Sequence, residues 1–180
     1  MTILVLYASK HGATQGIAER IAAKLVVSGQ EARALPILAV KDLAAYDAFV
    51  IGSAAYVGSW MKEATAFVRR NQEFLATRPV WLFSSGPLGD SPKDAQGRDL
   101  LVVTEPKEFA EFKAVIKPRG LRVFFGALNP GRLAFAERMF RRLPAGRELL
   151  PEGDFRDWKA IDAWAVEIAG ALAPTTVVQR

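Results

Sequence analysis

Ser9 and Thr14 place two hydroxyls on either side of Gly12, directly after the apolar run Ile3-Leu4-Val5-Leu6-Tyr7 and directly before a helical pattern. A buried strand that ends in a short loop of hydroxyls and glycine, and then in a helix start, suits a phosphate group. The loop N–H groups point outward, the hydroxyls add donors, and the helix N-terminus carries partial positive charge. Lys10 adds a cation if it folds inward. Polar loops between strand and helix are also ordinary, and Thr14 can serve only as the cap of its helix. Residue types alone leave both readings open, and the position after the first strand favours the phosphate. Such a corner at the start of a chain this size points to a flavin mononucleotide (FMN) site held by Ser9, Lys10, His11, Gly12, Ala13 and Thr14.

Competing chemistries can be checked against the same residues. A dinucleotide fingerprint needs three spaced glycines, but Gly12 and Gly16 stand alone, and no Gly-Lys pair supplies a P-loop. An acidic receiver pocket needs an Asp after the third strand, where Gly52-Ser53 stands instead. The chain has no cysteine, which excludes disulfides, thiolate metal sites and cysteine nucleophiles. His11 is the only histidine, so multi-histidine metal sites are excluded and none is expected. No Gly-x-Ser-x-Gly elbow accompanies it to make a serine nucleophile. An acid–base role for His11 beside bound FMN stands against the plainer reading of an exposed loop histidine. No catalytic side chain is assigned, because a flavin itself carries the chemistry.

Two further loops complete the constellation. Ser53-Ala54-Ala55-Tyr56-Val57-Gly58-Ser59-Trp60 sets two aromatic side chains beside small residues. A flavin ring is flat and aromatic, so Tyr56 or Trp60 can stack on it and exclude water, or Trp60 can simply pack on the core. Ser53, Ala54, Ala55, Tyr56, Val57 and Gly58 are expected on one side of the ring, with Gly58 free to let a peptide rotate. Ser85, Gly86, Pro87, Leu88 and Gly89, in a small stiff segment, suit the other side, or form a plain turn.

The elements that must position these loops alternate. Ile3–Tyr7, Ala48–Ile51 and Val80–Phe83 are continuous apolar runs of the kind buried on both faces of a parallel sheet. Glu31–Leu35 alternates charged and apolar residues, as an edge strand does, and Leu121–Phe125 is the last strand. Helical spacing joins Ile17, Ile21 and Leu25, then Met61, Ala64, Val68, Asn71 and Leu75, then Phe109, Phe112 and Ile116. Residues 86–104 read as a long loop, with Thr104 and Pro106 at the next helix start. A helix is expected over Leu133–Arg142 and a final one from near Asp154, with Trp158, Ile161, Ala165, Ile168 and Leu172 on one face. Five strands interleaved with helices imply an open parallel sheet covered on both sides. In such sheets ligands bind beyond the carboxyl ends of the strands, where strand order reverses.

The 180 residues fit one domain, taken as residues 1–173, with a frayed tail over 174–180. With 24 Lys and Arg against 19 Asp and Glu the net charge is +5, which favours acidic partners. No named nucleic-acid motif is present and no nucleic-acid partner is expected. No signal pattern opens the sequence and no apolar run reaches the length of a membrane span. Arg132, Arg138, Arg141, Arg142 and Arg147, interleaved with Leu133, Phe135, Met139, Phe140 and Leu143, can lie on an anionic membrane surface; the bland alternative is a packed helix with a solvated arginine face.

These three loops, in this order on this strand pattern, resemble the flavodoxin superfamily. Tyr7–Thr14 looks like its phosphate loop and Val50-Ile51-Gly52-Ser53 like its third strand, and the match runs from about Ile3 to Leu172. Phe125-Gly126-Ala127-Leu128, the stretch Arg132–Arg142 and Asp157-Trp158 bring it nearest to menaquinone-dependent protoporphyrinogen oxidase and related flavodoxin-domain proteins. The resemblance implies a flavodoxin-like three-layer sandwich, with a five-stranded parallel sheet in the order 2-1-3-4-5, and FMN as cofactor. It also implies two-electron oxidation of a reduced organic substrate such as a porphyrinogen, with a quinone as acceptor. The reading leans to such an oxidoreductase, cytoplasmic and peripheral to the inner face of the membrane through Arg132–Arg142. The alternative is a non-catalytic electron carrier serving a protein partner; the basic charge departs from the acidity of many such carriers.

Overall fold

The computed structural model describes residues 1–173, and at residue 148 the backbone alone. The tail at 174–180 lies outside the described residues. Along the chain come β1 (Thr2–Ala8), α1 (Ala13–Val27), β2 (Glu31–Pro36), β3 (Ala48–Tyr56), β4 (Ser59–Trp60), α2 (Lys62–Arg70), α3 (Gln72–Ala76) and β5 (Val80–Ser85). There follow α4 (Leu100–Val103), α5 (Glu108–Val115), β6 (Gly120–Phe124), β7 (Ala127–Leu128), α6 (Phe135–Arg141), α7 (Pro144–Leu149), β8 (Gly153–Asp154) and α8 (Trp158–Leu172).

The parallel sheet runs β2-β1-β3-β5-β6, which is the order 2-1-3-4-5 when the five parallel strands alone are numbered. Its central strands read as apolar runs because both faces are covered. On one face Ile3, Val5, Val50 and Phe83 meet Ile17, Ile21 and Leu25 of α1 and Ile161, Ala165 and Ile168 of α8. On the other, Leu4, Leu6, Phe49, Ile51 and Leu82 meet Ala64, Val68, Leu75, Phe109 and Phe112. The chain leaves β1 towards β2 on one side and returns to β3 on the other. Strand order therefore reverses between β1 and β3, and a crevice opens beyond their carboxyl ends. Register brings Ala8 beside Ser53 and Ala54 beside Ser85, so the ends of β1, β3 and β5 converge there.

Several expectations need correction. The third strand does not end at Gly52-Ser53. It continues to Tyr56, because Gly52 pairs with both neighbours and Tyr56 turns back onto Ser59 in a hairpin. Small residues that resemble a strand stop are required here: a Cβ on Gly52 would stand 2.0 Å from Phe83 Cζ. The hairpin turns on Val57 (φ 51°) and Gly58 (φ 71°), both left-handed, as two-residue hairpins demand. The segment 86–104 is not all loop, since Asp99 accepts the Leu101 N–H and caps α4. The next helix then starts at Glu108 rather than at Thr104 or Pro106. Asn71 breaks the expected second helix into α2 and α3. The final helix starts at Trp158, where Asp157 accepts the Lys159 and Ala160 N–H groups. Residues 133–142 form only the shorter α6, followed by α7, and the pairing of β7 with β8 closes the base of this excursion.

Candidate functional site

The corner after β1 is built from unspent donors. Gly12 takes the left-handed conformation (φ 89°), and its N–H donates to Ser9 Oγ at 3.0 Å. The first bond of α1 runs from Gly16 N–H to the Gly12 carbonyl at 3.1 Å. The N–H groups of Ala13, Thr14 and Gln15 therefore lie outside the helical ladder, and no side chain caps them. Thr14 does not cap the helix: it sits one residue inside, buried, with its hydroxyl 2.7 Å from Ser85 Oγ. That bond ties the first loop to the third.

A cavity of about 160 Å³ lies against this corner. Ser9, His11, Ala13 and Thr14 line it on the side of the first loop, and Ala54, Ala55, Tyr56, Ser85, Gly86 and Leu88 line it at the ends of β3 and β5. The three loops singled out in the sequence thus share one cavity. Lys10, Gly12, Ser53, Val57, Gly58, Pro87 and Gly89 do not line it. Gly12 faces a polar cleft on the outer side of the loop with Arg132 and Arg156. Ser53 is fully buried, donating to the Ala54 carbonyl at 2.9 Å and accepting the Met61 N–H at 3.1 Å. The Gly58 carbonyl accepts the Lys107 N–H at 3.1 Å. Trp60 lies in the core against Phe109 and Phe112, with its backbone N–H donating to the buried Glu108 carboxylate at 3.1 Å. Of the two aromatic candidates, Tyr56 alone reaches the cavity. Burial, with the charges of Glu137 and Glu63, pushes its phenol up to about 12, so it is protonated at ordinary pH.

The remaining wall was absent from the sequence reading of the site. Gly126, Ala127 and Leu128 close one side, and Leu133, Glu137 and Leu150 come from the excursion between β7 and β8. This segment is pinned onto the first loop. His11 is not an exposed loop histidine, since its side chain is 10% exposed. His11 Nδ1 lies 3.0 Å from the Arg132 carbonyl and Nε2 lies 3.4 Å from Glu137. A carbonyl only accepts, so Nδ1 carries the proton. Lys10 pairs with Glu137 instead of turning inward. Burial acts to raise the Glu137 pKa. It is outweighed by the Lys10 hydrogen bond, the Ala134 N–H and the charges of His11 and Lys10, which hold the carboxyl below its usual range. Among the described residues, no cluster of His, Asp and Glu could hold a metal ion.

The profile of the family described as Flavodoxin domain matches residues 4–144. No curated protein matches the chain. Solved structures with the same fold include a cysteine-to-serine mutant of flavodoxin from Pseudomonas aeruginosa, at 16% identity and TM-score 0.60, covering 96% of this chain and 99% of that one. Oxidised flavodoxin 2 from Bacillus cereus is similar at 21% identity and TM-score 0.59, over 96% of this chain and 100% of that one. Rubredoxin oxygen:oxidoreductase from Desulfovibrio gigas shares the fold at 12% identity and TM-score 0.60, over 95% of this chain and 36% of that one. The group such a domain holds is FMN, and the residues fit it. Uncapped α1 amides and the Ser9 and Thr14 hydroxyls suit a phosphate, and the apolar slot beside Tyr56, Gly86 and Leu88 suits a flat ring. With the matched profile spanning most of its length, the chain belongs to the flavodoxin-domain family.

Proposed function

We propose that the protein is an FMN-dependent oxidoreductase. It takes electrons from a reduced organic substrate, a porphyrinogen among the candidates, and gives them to a quinone met at an anionic membrane surface. The observation that carries this reading is that Leu133, Glu137 and Leu150 wall the same cavity as Tyr56 and Leu88. It makes the space at the strand ends an apolar pocket rather than an open edge, and such pockets suit small flat molecules.

FMN supplies two-electron redox chemistry when bound. The chain does the rest. The α1 amides with Ser9 and Thr14 hold the phosphate, Leu88, Leu128, Leu133 and Leu150 exclude water, and Tyr56 lines the cavity beside them. In each turnover the donor loses two electrons and two protons, and the quinone leaves as a hydroquinone having gained both.

A second reading, an electron carrier, is favoured by the hairpin tip. Val57 is fully exposed beside Tyr56 and offers a protein partner a contact. The test is turnover of protoporphyrinogen with menadione, beside electron exchange with redox proteins. Rapid, menadione-dependent porphyrin formation supports the oxidoreductase. Exchange with redox proteins and no quinone-dependent turnover replaces it with the carrier.

A further inference from the structure

We propose that the outer face of α6 and the turn after it is a docking surface for an anionic lipid bilayer. The proposal deepens the quinone reading and rests on it.

The helix is inside out. Its charged side is spent on the protein: Glu137 holds Lys10 and His11, and Arg141 donates to the Leu150 carbonyl at 3.0 Å and to Glu152 at 3.1 Å. At about 100° per residue, Phe135 and Met139 then fall on the side away from Glu137 and Arg141, with Phe140 next to them and Leu143 in the turn that follows. All four stand in water, Phe135 at 73% exposure and Leu143 at 56%. Leu149, in α7, is also exposed. Soluble helices put such a row inward, and a contiguous exposed apolar patch marks an interaction site.

The charges say what covers it. Arg138 and Arg142 fall along the Phe135 edge of the row, are exposed, and make no ion pair among the described residues. An apolar row bordered by arginines matches a surface that offers phosphates at one level and hydrocarbon just below it. An acidic protein offers carboxylates but no continuous hydrocarbon layer beneath them. Among the described residues no helix is long and apolar enough to cross a membrane, so the contact is peripheral. Because the inner residues of the same segment wall the cavity, docking would hold the cavity beside the lipid in which a quinone dissolves.

The test uses the full chain loaded with FMN and sedimentation with vesicles of mixed phosphatidylglycerol and phosphatidylcholine, or of phosphatidylcholine alone. Binding to the anionic vesicles is expected, weakened by raising salt from about 0.05 to about 0.5 M. Arg138→Ser with Arg142→Ser is expected to weaken it about thirty-fold, and Phe135→Ser with Leu143→Ser at least about tenfold. All four positions are exposed, and FMN fluorescence quenching checks that each variant is folded. Equal binding to both vesicle types, or binding untouched by either pair, overturns the proposal. So does lipid-free polyglutamate competing as strongly as anionic vesicles, which assigns the face to an acidic protein. Turnover with menadione in solution separates the two readings: vesicle binding without it removes the quinone and leaves the surface, whereas turnover without vesicle binding removes the surface alone.

Discussion

Replacing Thr14 by Val keeps the shape of the side chain and removes its hydroxyl. Two separate losses follow. Ser85 is 3% exposed and its hydroxyl is partnered by Thr14, so the variant leaves a buried hydroxyl unpaired, at a cost of about 1–3 kcal/mol. For a chain of this length that lowers Tm by about 2–12 °C. With Ser85 donating, the Thr14 proton is left for the phosphate. A hydrogen bond to a charged group is worth about 1.5–3 kcal/mol, which corresponds to about ten- to a hundred-fold weaker FMN binding. The assay is quenching of flavin fluorescence, run in parallel with riboflavin, which has the ring and no phosphate. The FMN constant should rise by that factor and the riboflavin constant should stay within about twofold. Equal weakening of both would mean that Thr14 acts only through the fold. Unchanged FMN binding would refute the phosphate assignment, and Ser9→Ala combined with Thr14→Ala, expected to weaken FMN further, would then be silent as well.

Val57 holds a left-handed conformation that a β-branched side chain adopts only under strain, so Val57→Asn should stabilise the protein by about 1 kcal/mol, raising Tm by about 2–4 °C in a thermal melt; an unchanged Tm contradicts this. The Glu137 carboxyl is held below its ordinary value of 4.5, so its contribution to pinning residues 132–141 is complete above that pH and lost as the pH falls through the depressed value. Protection factors from hydrogen exchange over this segment should therefore stay level from pH 7 to about 4.5 and drop below, whereas Glu137→Gln should lower them at pH 7. Gly52→Ala would force a Cβ to within 2.0 Å of the fully buried Phe83 ring and should destabilise by at least about 1–3 kcal/mol; adding Phe83→Leu should restore part of the loss, and no restoration would show that the ring is not the obstacle.

The sheet was legible because Ile3–Tyr7, Ala48–Ile51 and Val80–Phe83 are short runs, apolar without interruption, and strands covered on both faces carry that signature. The faces of α1 and α8 were legible from their spacing. The three loops could be placed in one crevice because the rule for open α/β sheets depends on strand order, not on side-chain detail. Two features were hidden for physical reasons. Gly52-Ser53 reads as a stop, yet the strand continues through it, because the space left by the missing Cβ is filled by Phe83 from β5. The wall from Leu133, Glu137 and Leu150 depends on an excursion held by contacts far apart in sequence, His11 with Arg132 and Lys10 with Glu137. The one available signal was α6 itself: Phe135 and Met139 stand at a helical spacing that suggests burial, while the charged Glu137 and Arg141 are the side chains that face the protein.

Titration of the flavin-free protein with FMN, read by fluorescence quenching, tests the phosphate corner most directly. The account predicts saturation at one FMN per chain, with riboflavin bound at least about tenfold more weakly because it leaves the α1 amides and the Thr14 hydroxyl without an anion. Flavin fluorescence that stays unquenched at every ratio, or riboflavin binding as tightly as FMN, would contradict it.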